Sequence, residues 1–176
     1  MAGQSTIGDV GEHAVAMHIE AGSGYVLSAY KPEPDAHHSD LTIEDADDRT
    51  VTAQVKVATH PDREGRIVGF ADYRENAVPE NPRLFYVFGL LQTDEREVRL
   101  TRAWLVPSHE FNKRAYREHR SSEPGRVVLQ FSCLATGDPK WDEFELAPLE
   151  LGPAFLKILG DAPDSWKNLL PTAWGG

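Results

Sequence analysis

Residues 40–56 read Asp-Leu-Thr-Ile-Glu-Asp-Ala-Asp-Asp-Arg-Thr-Val-Thr-Ala-Gln-Val-Lys, and their periodicity decides the fold. Leu41 and Ile43 alternate with polar neighbours, residues 44–49 form a charged, acidic turn, and Val51, Ala53, Val55 and Val57 then alternate with Thr52, Gln54 and Lys56. A period of two is that of a strand with one buried face, so the stretch predicts a hairpin. The same period sets Gln54 and Lys56 side by side on the polar face. In the simplest register, Asp40 enters the first strand near the level where Lys56 leaves the second. A carboxylate, an amide oxygen and an ammonium then gather at one end of a small sheet, on a face that has no other reason to be polar.

That trio suits metal-assisted phosphodiester hydrolysis. Asp40 is a hard oxygen ligand for Mg²⁺ (or Mn²⁺), an ion that keeps several waters and needs few protein ligands. The Gln54 amide oxygen supplies a weaker, neutral ligand, and the backbone carbonyl of Val55 a further one. Lys56 then stands beside the attacking water, where it lowers that water's pKa or stabilises charge developing at phosphorus.

On these residues the chain resembles the PD-(D/E)XK nuclease superfamily, whose signature is an acidic residue, a hairpin and then acid-X-lysine on the second strand. The match is Asp40, thirteen intervening residues, and Gln54-Val55-Lys56. Upstream, Ile7-Gly8-Asp9-Val10-Gly11-Glu12-His13-Ala14-Val15-Ala16 is similar to the Gly-x-x-Gly-Glu-like helix of members related to archaeal Holliday-junction resolvases and Mrr-like restriction endonucleases. The resemblance makes Glu12 a metal-site glutamate; read without it, Glu12 is a solvated residue favourable to the helix dipole. It implies one α/β restriction-endonuclease-like domain over residues 1–176, with a mixed central sheet of about five strands flanked by helices on both faces. The centre of that sheet includes 50–57 and 83–91, and a helical extension covers about 150–176. The implied activity is Mg²⁺-dependent endonuclease cleavage of nucleic acid, DNA before RNA, by a protein that acts as a homodimer.

Two departures bear on this. Gln54 stands where a second acid is expected, as in the Q-X-K form of the Mrr-like branch, and leaves one charge fewer on the metal. Ser39 rather than proline precedes Asp40, while Pro34-Asp35 lies five residues earlier and makes Asp35 a rival acid. The alternative reading is a catalytically inactive nuclease-fold module for binding or assembly in a defence or DNA-processing system. A third is a metal-free hairpin with Lys56 as a surface residue.

Composition narrows the classes. Hydrophobic residues make up 40% of the chain and charged residues 26%, the balance of a soluble domain. No apolar run is long enough to span a bilayer, and residues 1–6 have neither a basic segment nor an apolar core, so a cytoplasmic protein is expected. The single cysteine, Cys133, excludes an internal disulfide and reads as a buried strand position. The formal charge of −10 argues against tight, non-specific duplex binding, which rests on Lys and Arg.

Along the chain, residues 7–22 predict a helix with an apolar stripe of Val10, Ala14, Val15, Met17, His18 and Ile19. Residues 25–30 predict a strand, and 31–39 a proline-containing loop with His37 and His38. Arg63 and Arg66, in the loop after the hairpin, are candidate phosphate contacts. Residues 69–76 predict a short helix carrying Tyr73. Residues 83–91 predict a strand buried on both faces, and 98–106 its return. Ser108 caps a helix with Phe111, Ala115 and Tyr116 facing inward. Lys113, Arg114, Arg117, His119 and Arg120 form the densest basic stretch, a solvated helix face or a DNA-backbone patch. Strands over 126–134 and 141–146 and helices over 153–159 and 165–170 complete the order.

Overall fold

The computed structural model describes residues 3–32, 39–94 and 97–160. Asp35, His37, His38 and the helix expected over 165–170 lie outside the described residues.

Helix α1 (Gly3–Gly22) opens the chain. Its inward stripe is Gly11, Ala14, Val15, Ala16 and Ile19, at helical spacing. Val10 and Met17, expected in that stripe, are exposed, because they flank the face defined by Gly11 and Val15. Strands β1 (Ser28–Tyr30), β2 (Leu41–Glu44) and β3 (Thr50–Ala58) follow as an antiparallel meander. The expected hairpin forms with Leu41 opposite Ala53 and Glu44 opposite Thr50. Asp45 organises its turn by accepting backbone N–H bonds from Asp47 and Arg49, each 3.0 Å, and pairing with the Arg49 guanidinium. Burial alone would raise the Asp45 pKa; the bonds from Arg49 and Asp47 outweigh it and hold the carboxyl below its ordinary value.

Strand β4 (Arg66–Arg74) comes next, then β5 (Leu84–Thr93), β6 (Val98–Pro107), helix α2 (Ser108–Arg114), β7 (Tyr116–His119), β8 (Arg126–Leu134), the two-residue β9 (Glu145–Leu146) and helix α3 (Leu151–Gly160). The central sheet has the order β1-β2-β3-β5-β6-β9, and β4-β8-β7 form a second sheet. The β3–β5 pair is parallel and the other pairs are antiparallel, so the central sheet is mixed, as expected.

Side-chain parity divides the core into two layers. Phe85 and Val87 of β5 face α1 and α3 with Ile19, Val51, Ala53, Val55 and Phe155. Tyr86 and Phe88 face the other way, toward Phe111 of α2 and Phe131 of β8. Helices therefore flank both faces, and most of the second face is covered by the three-stranded sheet. The helix expected over 69–76 is instead β4. Its residues have mixed local preferences, and the ladder to β8, from Arg66 opposite Leu134 to Arg74 opposite Arg126, decides the outcome. Tyr116, expected to face inward, is 62% exposed, because the chain leaves helical geometry at Ala115 and enters the edge strand β7. Of the strand expected over 141–146 only β9 forms; Asp142–Phe144 make a 3-10 turn. Cys133 is buried in β8, and burial pushes its thiol up to about 12, which leaves it unreactive. No helix among the described residues is long and apolar enough to cross a membrane.

Two close approaches seat these layers. A Cβ at Gly11 would lie 2.3 Å from Val57 Cγ2, so α1 rests on β3 at a position that only glycine fills. A Cβ at Gly69 would lie 2.7 Å from Phe88 and 3.3 Å from Lys56 Cβ, so β4 crosses the central sheet with equally little room. Gly11→Ala is expected to cost about 1–3 kcal/mol through overpacking, read as a lowered denaturation midpoint. Adding Val57→Ala should recover part of the loss. An unchanged midpoint in Gly11→Ala would mean that α1 is not held at this contact.

Candidate active site

Strand β2 ends its pairing with β3 at Leu41, and one further bond, from the Asp40 N–H to the Ala53 carbonyl at 2.9 Å, closes the ladder. Beyond it, among the described residues, no strand pairs with the side of β3 that faced β2. Asp40 fills the first position there. Its Oδ2 accepts the Val55 N–H at 2.7 Å and the Lys56 ammonium at 3.3 Å. Its Oδ1 has no hydrogen-bond donor among the described residues. The N–H and C=O of one strand residue point to the same side. The Val55 carbonyl therefore opens toward the Asp40 side as well. Asp40 and Lys56 are partly exposed, at 23% and 29% of their side-chain surface, so solvent and solutes reach the pair.

Gln54 and Lys56 share a face of β3, as their spacing predicts, and that face looks toward β4. There Gln54 meets a group that the sequence reading did not find. Its amide oxygen accepts a hydrogen bond from the Tyr73 hydroxyl of β4, and the Tyr73 and Tyr86 hydroxyls lie 2.6 Å apart. Desolvation raises the Tyr73 pKa to about 12, with the nearby Asp40 charge adding to the rise. Burial drives Tyr86 higher still. Both phenols are therefore protonated donors at neutral pH.

Glu12 approaches from the opposite layer. The Gly11 contact on Val57 brings α1 to the end of β3, one residue from Lys56 in sequence but on the other face. Glu12 is paired with Lys31, not Lys56, at 2.6 Å, and Lys31 also holds Asp9 at 2.8 Å. The bonds to Asp9 and Glu12 raise the Lys31 pKa. Glu12, His13, Ala16, Ala29, Lys31 and Leu41 line a cleft of ≈ 190 Å³. Leu41 is the first residue of β2 and follows Asp40, so the cleft lies beside the strand end that carries Asp40. The structure thus joins Asp40, Val55 and Lys56 by direct contacts and ties Gln54 to Tyr73. It leaves Glu12 with a lysine partner of its own.

A bacterial homing endonuclease, I-Ssp6803I, has a similar structure. The TM-score is 0.52 at 16% sequence identity, over 96% of this chain and 99% of that one. The two chains share a fold. No protein-family profile matches this sequence, and no curated protein is significantly similar to it.

The candidate phosphate contacts are scattered. Arg63 is exposed in the turn after β3, while Arg66 reaches Ser132 at 3.4 Å and Glu64 at 3.6 Å. The basic stretch is divided between α2 and β7. Arg114 lies between Glu110 and Glu143 and covers the Phe144 ring at 4.7 Å. Lys113 stands 3.8 Å from Glu110, Arg117 donates to the Asn112 carbonyl at 3.2 Å, and Arg120 pairs with Asp72 at 3.2 Å. Glu110 is buried, so Arg114→Ala is expected to cost about 2–3 kcal/mol by leaving that carboxylate poorly compensated. Arg117→Ala should stay within about 0.5 kcal/mol of the parent. Denaturant titration of both variants checks the difference; equal effects would remove the structural role given to Arg114.

Proposed function

We propose that this chain is a metal-dependent endonuclease of the PD-(D/E)XK type, in its Q-X-K form, that hydrolyses phosphodiester bonds in DNA. The observation that carries the reading is the junction at the end of β2. There a partly exposed carboxylate accepts the Val55 N–H at 2.7 Å and the Lys56 ammonium at 3.3 Å, and the Val55 carbonyl lies on the same side of the strand as its N–H. A fold shared with a protein described as a homing endonuclease supports it.

The donor set fits a hard divalent cation such as Mg²⁺ or Mn²⁺. Asp40 offers Oδ1, Val55 its carbonyl, and Gln54 the lone pair of its amide oxygen that Tyr73 does not use. Bound there, the ion supplies Lewis-acid polarisation of the scissile phosphate. The chain does the rest. Asp40 holds the β3 backbone in place through the Val55 N–H. Lys56 stands beside the carboxylate and is positioned to donate a hydrogen bond to the attacking water or to a phosphate oxygen as negative charge develops. Glu12, reached across the cleft, becomes a further acid when Lys31 turns to another anion. Arg63, Arg66, Lys113 and Arg117 serve as backbone contacts, and a homodimer presents two such sites to one duplex.

Nicking of supercoiled plasmid in Mg²⁺ tests this. Lys56→Ala should lower the rate by about 100-fold or more while leaving the melting temperature nearly unchanged. A half-exposed pair of this kind contributes roughly 1 kcal/mol or less. Asp40→Asn should remove saturable Mn²⁺ binding measured by calorimetry, and Gln54→Glu should keep or strengthen it. Nicking by Lys56→Ala at the parental rate would remove Lys56 from the chemistry. A parent protein that binds no Mn²⁺ would favour a non-catalytic module on the same fold, a reading to which the lone carboxylate and the charge of −10 already lend weight.

A further inference from the structure

We infer that Tyr73 is a positioning residue that fixes the rotamer of the Gln54 amide by holding its oxygen end, and that Tyr86 sets the direction of the Tyr73 hydroxyl. The inference rests on the metal-site reading above and gives a reason why glutamine can stand in that site.

The argument starts from the shape of an amide. The two ends of a glutamine side chain are nearly equal in size, but one is an oxygen acceptor and the other an NH₂ donor. Only the oxygen can ligate a cation; a half-turn about the terminal torsion offers the wrong atom. A glutamate at the same place has no such failure, because both its ends are oxygens. A Q-X-K site therefore needs an external device to choose the rotamer, and an acid-X-K site does not.

Tyr73 and Tyr86 have the geometry of that device. The Gln54 Oε1 has no hydrogen to give, so Tyr73 is the donor in the bond between them. Its single hydrogen is thereby committed. In the 2.6 Å contact between the hydroxyls Tyr73 must then accept and Tyr86 donate. Tyr86 is fully buried and Tyr73 nearly so, at 0% and 3% exposure, so water does not compete for either hydroxyl. The two tyrosines are fixed by unrelated elements. Tyr86 lies opposite Gln54 in the parallel β3–β5 ladder, parallel to the Phe88 ring and against the tilted ring of Phe111. Tyr73 is carried by β4, whose approach is set at Gly69. The chain of donors runs from Tyr86 through Tyr73 to Gln54.

The test is a double-mutant cycle read by Mn²⁺ calorimetry, with melting temperatures as the folding control. Tyr73→Phe should weaken Mn²⁺ binding roughly two- to tenfold when Gln54 is present, the range of one net hydrogen bond. In combination with Gln54→Glu the same change should leave the affinity within about twofold. Tyr86→Phe should repeat the pattern with a smaller loss. Equal losses in both backgrounds would make Tyr73 a general structural support, and no loss in either would overturn the inference. A metal-free measurement separates this from failure of the metal reading. The Gln54 side-chain amide, identified in NMR spectra by its disappearance in Gln54→Glu, should be rigid in the parent and conformationally averaged in Tyr73→Phe. Unchanged amide relaxation overturns the lock even if Mn²⁺ binds; averaged relaxation sustains it even if Mn²⁺ does not.

Discussion

The rest of the structure depends on a single discontinuity, the point at which β2 stops pairing with β3. Every strand residue has a backbone donor and acceptor to satisfy. On its β5 side β3 is served throughout, from Thr52 opposite Leu84 to Ala58 opposite Leu90. On its β2 side service ends at Ala53, and the next backbone donor on that side, the Val55 N–H, goes to the Asp40 carboxylate. The acid is thus part of the sheet before it is part of any chemistry. The same substitution of side chain for strand leaves the Val55 carbonyl facing outward and sets the Lys56 ammonium against the carboxylate. The placement of carboxylate, carbonyl and ammonium arises from one geometric event.

Around that junction the two core layers meet with little tolerance. Gly11 rests on Val57 from one side, and Gly69 rests on Phe88 and Lys56 from the other. Each glycine stands close in sequence to a residue whose placement matters: Glu12 follows Gly11, and Tyr73 follows Gly69 by two periods of the strand. A small shift of either layer would be transmitted to the site because the contacts are backbone to side chain, with no flexible end to absorb it. This is why the packing at Gly11 and Gly69 governs where Glu12 and Tyr73 stand relative to β3.

Much of this was legible in the sequence where local pattern and long-range pairing agree. The alternation from Thr50 to Val57 announced β3, and the flat apolar run at 84–91 announced a strand buried on both faces. Asp40, Val55 and Lys56 could be brought together because a hairpin's register is short-ranged and its side-chain period is fixed. Tyr73 could not. Phe70, which is 55% exposed, puts an apolar residue on the outer face of β4 and blurs the alternation of Ile67, Ala71 and Tyr73. What makes that segment a strand is β8, more than fifty residues away. The error in α1 was of a smaller kind: Val10 and Met17 are apolar but stand outside the face, and Gly11, which has no hydrophobic signal, lies at its centre. Propensity reports what a residue prefers, whereas a close approach is visible only as the absence of a side chain.

The acidic charge is also more informative in three dimensions than as a sum. Arg102 is held by Glu145, Arg114 by Glu110 and Glu143, and Arg120 and Arg126 by Asp72. A polyanion approaching these arginines gains only the difference between a phosphate and a carboxylate already in place, so they add little to counterion release. They act as structural cations that tie β6 to β9, α2 to the turn at Glu143, and the β7–β8 region back to β4. Lys31 and Lys56 differ in kind. Their partners are Glu12 and Asp40, the two acids that the nuclease resemblance assigns to the metal site. Under the proposed reading, drawing either lysine toward a phosphate would expose the acid it holds, and a cation held by either acid would free that lysine for a phosphate, so each event would favour the other. Under the proposed nuclease reading, recognition of a phosphodiester and completion of the site would be coupled through these pairs, so that an acidic chain would engage nucleic acid at one place without attracting it everywhere.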